Sequence, residues 1–178
     1  IPIVLESSKK NLSRCVCTLR PKSEGGLFVG KEDERKSILR LIAEYNPFLL
    51  DVEFNTIQKD KKLASYLKKS KCKLLISWHD FKKTPNESQL KSRFKKMQKF
   101  SNVVKIVTVA KNVSDASRLL SLYSIKTKNK MVAFCMGDQG KFSRILCLHL
   151  GSPFTYVSLG KAIAPGQFSV DEIKSLEN

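Results

Sequence analysis

The sequence lacks a CxxC pair, the spacing that marks many zinc sites and thiol redox centres. It has five cysteines, an odd number that does not suit a disulfide framework. Most of them lie within apolar runs, where a free thiol packs as a small hydrophobic side chain. We therefore predict buried thiols in a reducing compartment and no metal site.

Long apolar runs and glycine-rich nucleotide motifs are also missing. The longest apolar runs fall far short of the roughly 20 residues that span a bilayer, and no GxGxxG motif follows a predicted strand. The chain does not open with a basic and apolar leader. These absences disfavour a membrane or secreted protein and a dinucleotide-dependent enzyme, so we expect a cytoplasmic protein that needs no cofactor.

Acidic residues are few, and the formal charge is +17, with 33 lysines and arginines against 16 acidic residues. Such a charge raises the possibility of nucleic-acid binding. The basic residues are, however, spread over amphipathic segments, and neither an RNP-like aromatic pattern nor a zinc knuckle accompanies them. We therefore expect no nucleic-acid partner, and we expect the charge to favour approach of an anionic ligand.

Short apolar runs alternate with helical patterns along the 178 residues. The runs are continuous and do not alternate with polar residues, which is typical of parallel strands covered by helices on both faces. We predict an α/β fold built from βα units, as one domain spanning residues 1–178. The predicted strands cover residues 15–19, 49–54, 73–78, 103–110, 131–136 and 154–159. The predicted helices cover residues 31–44, 58–69, 86–100, 114–123 and 171–176.

Polar residues occur at or near the carboxyl ends of several predicted strands. Arg20 follows the first strand, and Asp51 and Glu53 lie within the second. His79 ends the third strand, and Lys105 lies inside the fourth. Polar groups that converge from the ends of different strands are the way a (β/α)8 barrel builds its active site. This pattern favours the barrel over an open doubly wound sheet.

Lys105 and His79 together suggest imine chemistry. Valines and an isoleucine flank Lys105, and burial there would lower its pKa and free a neutral amine that attacks ketones. Imidazole titrates near working pH and can transfer protons in both directions. Taken alone, Lys105 is equally consistent with a lysine that reaches the surface or marks a strand edge, and His79 with a structural histidine. Their occurrence on successive strands favours a Schiff-base enzyme such as a dehydratase or an aldolase.

Six motifs, in order, resemble type I 3-dehydroquinate dehydratase. They are CTLRPKSEGG, DVEFN, SWHDF, VVKIVTVAK, FCMGDQGKFSR and GSPFTYVSLGKAIAPGQFSV. The resemblance implies a (β/α)8 TIM-barrel lyase of the shikimate pathway, in aromatic amino-acid biosynthesis. Such an enzyme dehydrates 3-dehydroquinate to 3-dehydroshikimate through a lysine Schiff base, without metal or cofactor.

The resemblance also implies a role for individual residues. Lys105 would form the imine, His79 would transfer the protons, and Glu53 would orient His79. Arg144 and Gln167 would bind the substrate carboxylate. Arg20 and Glu24 would contact ring hydroxyls, and Met136 and Tyr156 would line the pocket.

The sequence departs from the family pattern in the number of βα units. About six of the eight units of a barrel are countable, and no residues match the family's first two strands. We therefore expect an incomplete barrel whose exposed sheet edges are covered by a second copy or another partner chain. Two other functions stay open on the residues: a different class I aldolase-like enzyme, and a catalytically impaired, barrel-derived binding or regulatory module.

Overall fold

The structure is a computed structural model that describes residues 1–176, and its five strands alternate with helices. The helices and strands, in chain order, are α1 Pro2–Ser7, β1 Val16–Thr18, α2 Glu32–Glu44, β2 Leu49–Glu53, α3 Phe54–Lys59, α4 Lys61–Lys69, β3 Leu74–Asp80, α5 Glu87–Met97, β4 Val103–Val109, α6 Val113–Leu120, β5 Lys130–Met136, α7 Ser143–His149 and α8 Val170–Leu176. Short 3-10 helices cover Lys9–Arg14, Lys22–Glu24, Ser121–Ser124 and Asp138–Gly140.

The chain divides into two compact units, of which the first comprises residues 1–78 and 97–103. In this unit β1 pairs with β2, and β2 with β3, all in parallel. The register places Val16 beside Leu49 and Glu53 beside Ser77. All five residues of β2 are buried, which explains why the strand reads as a continuous apolar run with Asp51 and Glu53 inside it.

Helix α2 of the first unit has one buried face with an unusual member. Its buried residues are Arg35, Leu39, Ile42 and Ala43, at the three- and four-residue spacing of one helix face. Three acidic residues occupy its first turn, where negative charge is favourable beside the helix N-terminus. The arginine on the buried face is the first sign that this unit holds a charge network in its interior.

The second unit comprises residues 79–96 and 104 onward. Here β4 and β5 are neighbouring strands, and a core packs around β5. Asn112 caps helix α6 by accepting a hydrogen bond from the Asp115 backbone N–H at 2.9 Å. The buried core residues are Val107, Leu120, Val132, Phe134, Met136 and Cys147, with Phe154 and Tyr156 packed against them.

Two of the predicted elements differ from the structure, and one helix of the structure was not predicted. The predicted strand at 154–159 is wrong, because only an isolated bridge between Ser158 and Ser169 forms there among the described residues. The predicted helix at 58–69 is two helices, since Asp60 accepts a hydrogen bond from the Leu63 N–H and starts a new helix. The short helix α7 was not predicted, because one buried turn of SRILCLH gives too little periodicity to recognise.

Several predicted absences can be compared with the described residues. Within residues 1–176, no helix is long and apolar enough to cross a membrane. The same residues contain no cluster of three metal-ligating side chains. All five cysteines are free thiols, and Cys72, Cys135 and Cys147 are buried.

Candidate active site

Arg20 of the first unit contacts two acidic side chains and a serine. Its Nη2 donates to Asp51 Oδ2 at 2.7 Å, and its Nη1 donates to Ser77 Oγ at 3.1 Å and to Glu53 Oε1 at 3.3 Å. Asp51 and Glu53 are two residues apart on β2, so both side chains point to the same face of the sheet. Parallel pairing of Glu53 with Ser77 brings the serine to that face as well.

Glu53 is shared between Arg20 and Arg35. Arg35 Nη1 donates to Glu53 Oε2 at 2.7 Å and to the Leu19 carbonyl oxygen at 3.0 Å. Burial pulls the pKa of Arg35 down, but Glu32 and Glu53 outweigh it, so the net pKa is raised. Burial raises the pKa of Glu53, opposed by the positive charges of Arg35 and Arg20. Because each Glu53 oxygen accepts from an arginine, these contacts fix the position of Arg20.

Glu24 has one carboxylate oxygen available. Oε1 accepts a hydrogen bond from Asn55 Nδ2 at 2.9 Å, whereas Oε2 has no hydrogen-bond partner within the described residues. Burial raises the pKa of Glu24, more than the Asn55 hydrogen bond and the charge of Arg20 lower it. The side chain lines an open groove of about 750 Å³, together with Asn55 and Arg35. Glu24 therefore lies beside the groove with one buried oxygen that makes no hydrogen bond within the described residues.

Lys105 of the second unit lies against an aromatic ring. Its side chain is buried, with 8% exposure, and its Nζ lies 4.1 Å from the centroid of the Tyr156 ring. An ammonium group over the face of an aromatic ring is attracted by the ring's negative quadrupole. The structure thus brings together two of the predicted site residues, one on β4 and one in the segment after α7.

Arg144, on α7, is a buried cation that contacts no carboxylate among residues 1–176. It is 2% exposed, and its guanidinium carbon lies 4.5 Å from the centroid of the Phe134 ring. Its Nη2 donates to the Pro165 carbonyl oxygen at 3.2 Å, and its Nε has no hydrogen-bond partner in the same residues. Burial lowers the pKa of Arg144 to about 10. A bound carboxylate would supply the missing charge and acceptors.

The segment before α8 is fastened to the end of β5. The Gly137 N–H donates to the Pro165 carbonyl oxygen at 3.3 Å. Gly166 has a φ of 69°, and a Cβ there would lie 2.7 Å from the Gly137 carbonyl oxygen, so this position requires glycine. The Gln167 side chain is buried, and its Oε1 accepts the Ile163 N–H at 3.0 Å. These contacts place Gln167 in the same loop that carries Arg144's acceptor.

His79 and Met136 both lie in the second unit. His79 lies inside β3, one residue before its end, and its ring stacks on Phe81 with centroids 5.8 Å apart. Asp80 accepts backbone hydrogen bonds from Lys82 and Lys83, which makes it a turn residue. Met136 is the last residue of β5 and is buried in the core beside Phe134.

The structure thus groups the predicted site residues within each unit. In the first unit Arg20 and Glu53 are bonded to each other, and Glu24 lies beside a groove. In the second unit Lys105 contacts Tyr156, and the loop that holds Gln167 also contacts Arg144. Arg35 and Phe134 were missed from the sequence. Arg35 could have been recognised by its place on the apolar stripe of α2. No feature of the sequence marks Phe134, since it is one apolar residue among many in β5.

Comparisons with known proteins agree with these motifs. The family model described as "Type I 3-dehydroquinase" matches residues 3–177. A 3-dehydroquinate dehydratase from Pyrobaculum aerophilum is 41% identical over 158 residues, which are 88% of this chain and 50% of that protein. One from Methanocaldococcus jannaschii is 32% identical over 184 residues, or 99% of this chain and 83% of that protein. The chain thus spans between half and about four fifths of these two relatives.

Solved structures show the same fold. The crystal structure of a type I 3-dehydroquinate dehydratase from Clostridium difficile, with covalently modified comenic acid, has a TM-score of 0.86 at 26% identity. The match covers 98% of this chain and 72% of that one. A 3-dehydroquinate dehydratase from Aquifex aeolicus has a TM-score of 0.77 at 28% identity and covers 97% and 80%. The predicted α/β fold, with only part of a TIM barrel in this chain, is confirmed. Residues 1–176 contain five strands in place of the expected six.

Proposed function

Because this chain belongs to the type I 3-dehydroquinase family, we propose that it dehydrates 3-dehydroquinate to 3-dehydroshikimate through an imine on Lys105. The observation that carries the proposal lies in the second unit. Buried Lys105 lies against the ring of Tyr156, and buried Arg144 lies against the ring of Phe134. The arginine has no carboxylate partner in residues 1–176, and its Nε has no hydrogen-bond partner there. An amine that attacks a ketone and a guanidinium that binds a carboxylate are the two groups this substrate requires.

The chemistry follows from the imine. The Lys105 amine adds to the C3 ketone, and loss of water leaves a protonated imine. This cation withdraws electrons from the adjacent carbon, so the C2 proton becomes acidic and its removal gives an enamine. The enamine expels the C1 hydroxyl group, which leaves as water once it is protonated. Hydrolysis of the imine then releases 3-dehydroshikimate and restores the amine.

The remaining residues are proposed to serve these steps. His79 takes the C2 proton and gives a proton to the departing hydroxyl, and it assists imine formation and hydrolysis. Arg144 and Gln167 bind the substrate carboxylate, and Tyr156 and Met136 line the pocket. The orientation of His79 by Glu53 stays a prediction.

The first-unit residues are proposed to bind the ring hydroxyls. Arg20 is held by Asp51 and Glu53, so it is already positioned before a ligand arrives. The partnerless Oε2 atom of Glu24 in the described residues supports a role as hydrogen-bond acceptor. Preorganised side chains of this kind bind with a lower ordering cost.

Borohydride trapping tests the proposal. The chain is incubated with 3-dehydroquinate and reduced with borohydride, and the modified peptide is identified by mass. We expect a reduced adduct on Lys105, its loss in Lys105→Arg, and its retention in Lys111→Arg, a matched change just beyond β4. A chain that is folded by circular dichroism but gives no adduct would overturn the proposal.

We also propose a cytoplasmic location, with no cofactor, nucleic acid or membrane required. The free thiols of the described residues are the state expected in a reducing compartment. A second copy or partner chain at a sheet edge stays a prediction, which the mass measured by light scattering tests.

A further inference from the structure

The two buried cations of the second unit rest on aromatic rings that contact each other. Lys105 Nζ is 4.1 Å from the Tyr156 centroid, and the Arg144 guanidinium carbon is 4.5 Å from the Phe134 centroid. The Phe134 and Tyr156 centroids are 6.1 Å apart, with the ring planes tilted by 56°. This spacing is that of a favourable aromatic pair. One ring pair therefore connects the amine to the guanidinium.

The rings are held firmly. Phe134, on β5, is 3% exposed and belongs to the core cluster of the second unit. Tyr156 packs against the same cluster, and Phe154 meets its ring edge-on with centroids 5.6 Å apart. An aromatic side chain has only two rotatable bonds, so burial fixes its orientation. The position of each ring then limits where its cation can lie.

We propose that Phe134 and Tyr156 act as positioning residues that set the spacing between the Lys105 amine and the Arg144 guanidinium. The site then favours ketones whose carboxylate lies at the matching distance from the carbonyl carbon. This inference rests on the proposed function, because it assigns the imine to Lys105 and the carboxylate to Arg144. This role differs from lining the pocket. Any apolar side chain of the right size can line a pocket, whereas positioning a cation requires the face of an aromatic ring.

The trapping rates of two ketones measure this selection. Each ketone is trapped with borohydride in a separate reaction. The first, 3-dehydroquinate, carries a carboxylate, and the second, cyclohexanone, lacks one. We expect Tyr156→Leu to lower the ratio of the two rates by about tenfold, the size of one buried cation–ring contact. Tyr156→Phe keeps the ring and should restore the ratio. Phe134→Leu should lower it too, through Arg144.

The controls separate positioning from folding and from the proposed function. Tyr66→Leu removes a ring that faces Arg40 in the first unit, so it should leave the ratio unchanged. A misfolded variant slows both ketones equally and leaves the ratio unchanged. An unchanged ratio in folded Tyr156→Leu would overturn the inference while the proposed function stands. A wild-type chain that traps neither ketone would count against the proposed function alone.

A second measurement does not depend on catalysis. A ring face shifts the NMR signals of protons above it upfield, so the Lys105 Cε protons should show that shift in the wild type. The assignment comes from Lys105→Arg. We expect the shift to vanish in Tyr156→Leu and to remain in Tyr156→Phe. Equal Lys105 signals in the wild type and Tyr156→Leu would overturn the inference whether or not an adduct forms.

Discussion

The two units treat buried arginine in opposite ways. In the first unit Arg35 has no exposed side-chain area and bonds to Glu53 and Glu32 at 2.7 Å each. In the second unit Arg144 is equally buried, but its described contacts are one carbonyl oxygen and the face of Phe134. A cation with a complete set of acceptors stabilises the folded chain. A cation without one is suited to bind an anion that comes from outside.

Replacing Arg35 gives the largest expected loss of stability. Arg35→Met removes one partner of a buried ion pair and leaves the Glu53 oxygen without that donor. We expect the free energy of unfolding to fall by about 3–5 kcal/mol, measured by urea denaturation. Lys36→Met, at the next residue, should cost far less because the Lys36 side chain is partly exposed and water screens its ion pairs. Equal losses in the two variants would contradict the comparison.

The same substitution at Arg144 should act mainly on binding. Arg144→Met removes a desolvated cation that has no carboxylate partner within residues 1–176, so we expect stability to stay equal or to rise by about 1 kcal/mol. The affinity for 3-dehydroquinate should fall by about 100-fold, the value of a charge-assisted carboxylate contact. Calorimetric titration and urea denaturation measure the two effects. A loss of stability like that of Arg35→Met would show that the units do not differ.

Replacing Gly166 should give an effect of intermediate size, because Gly166 follows Pro165, whose carbonyl oxygen accepts a hydrogen bond from Arg144. Gly166→Ala puts a Cβ at positive φ and 2.7 Å from the Gly137 carbonyl oxygen, so the loop must shift. We expect a loss of about 1–2 kcal/mol in unfolding free energy. Because the shift moves Pro165 away from Arg144, the affinity for 3-dehydroquinate should also fall. Gly151→Ala, also at positive φ but with nothing within 4 Å of the added Cβ, is the matched control.

The smallest expected effect is a pH dependence. Burial lowers the folded-state pKa of Arg144 to about 10, well below the ordinary value of an arginine. The cost of burying its charge is therefore fully present below pH 10 and is relieved as the pH rises through 10. We expect the stability difference between Arg144→Met and the wild type to shrink between pH 8.5 and pH 10.5. A difference that is constant over this range would contradict the lowered pKa.

How far the sequence predicted the fold depended on the length of each pattern. Strands β2 to β5 were found because five or six buried residues in each stand out against lysine-rich helices. The stretch at 154–159 has a similar composition. A strand also needs a neighbouring strand to which its backbone can hydrogen-bond, and composition alone does not reveal whether such a neighbour exists. Helix α7 failed for the opposite reason, because seven residues show fewer than two repeats of the apolar face.

The site was predicted unevenly for a related reason. Lys105 and Arg144 stood in motifs and were identified, but their contacts with the rings of Tyr156 and Phe134 could not be read from those motifs. Glu53 was assigned to orient His79, and the two arginines that it contacts could not be foreseen from its motif. Arg35 could have been found, since an arginine four residues before Leu39 shares its face. Phe134 could not, because pairing with Arg144 depends on tertiary packing.

The place of Phe134 has a consequence for how this chain can diverge. The same ring fills the core around β5 and forms the surface on which Arg144 lies. A substitution of Phe134 that moves the Arg144 guanidinium therefore also changes the packing of the core. Ligand preference and folding stability cannot be altered separately at this position. A substitution at Phe134 that alters ligand binding therefore also has to fit the core cluster, to which Val132 and Cys147 belong.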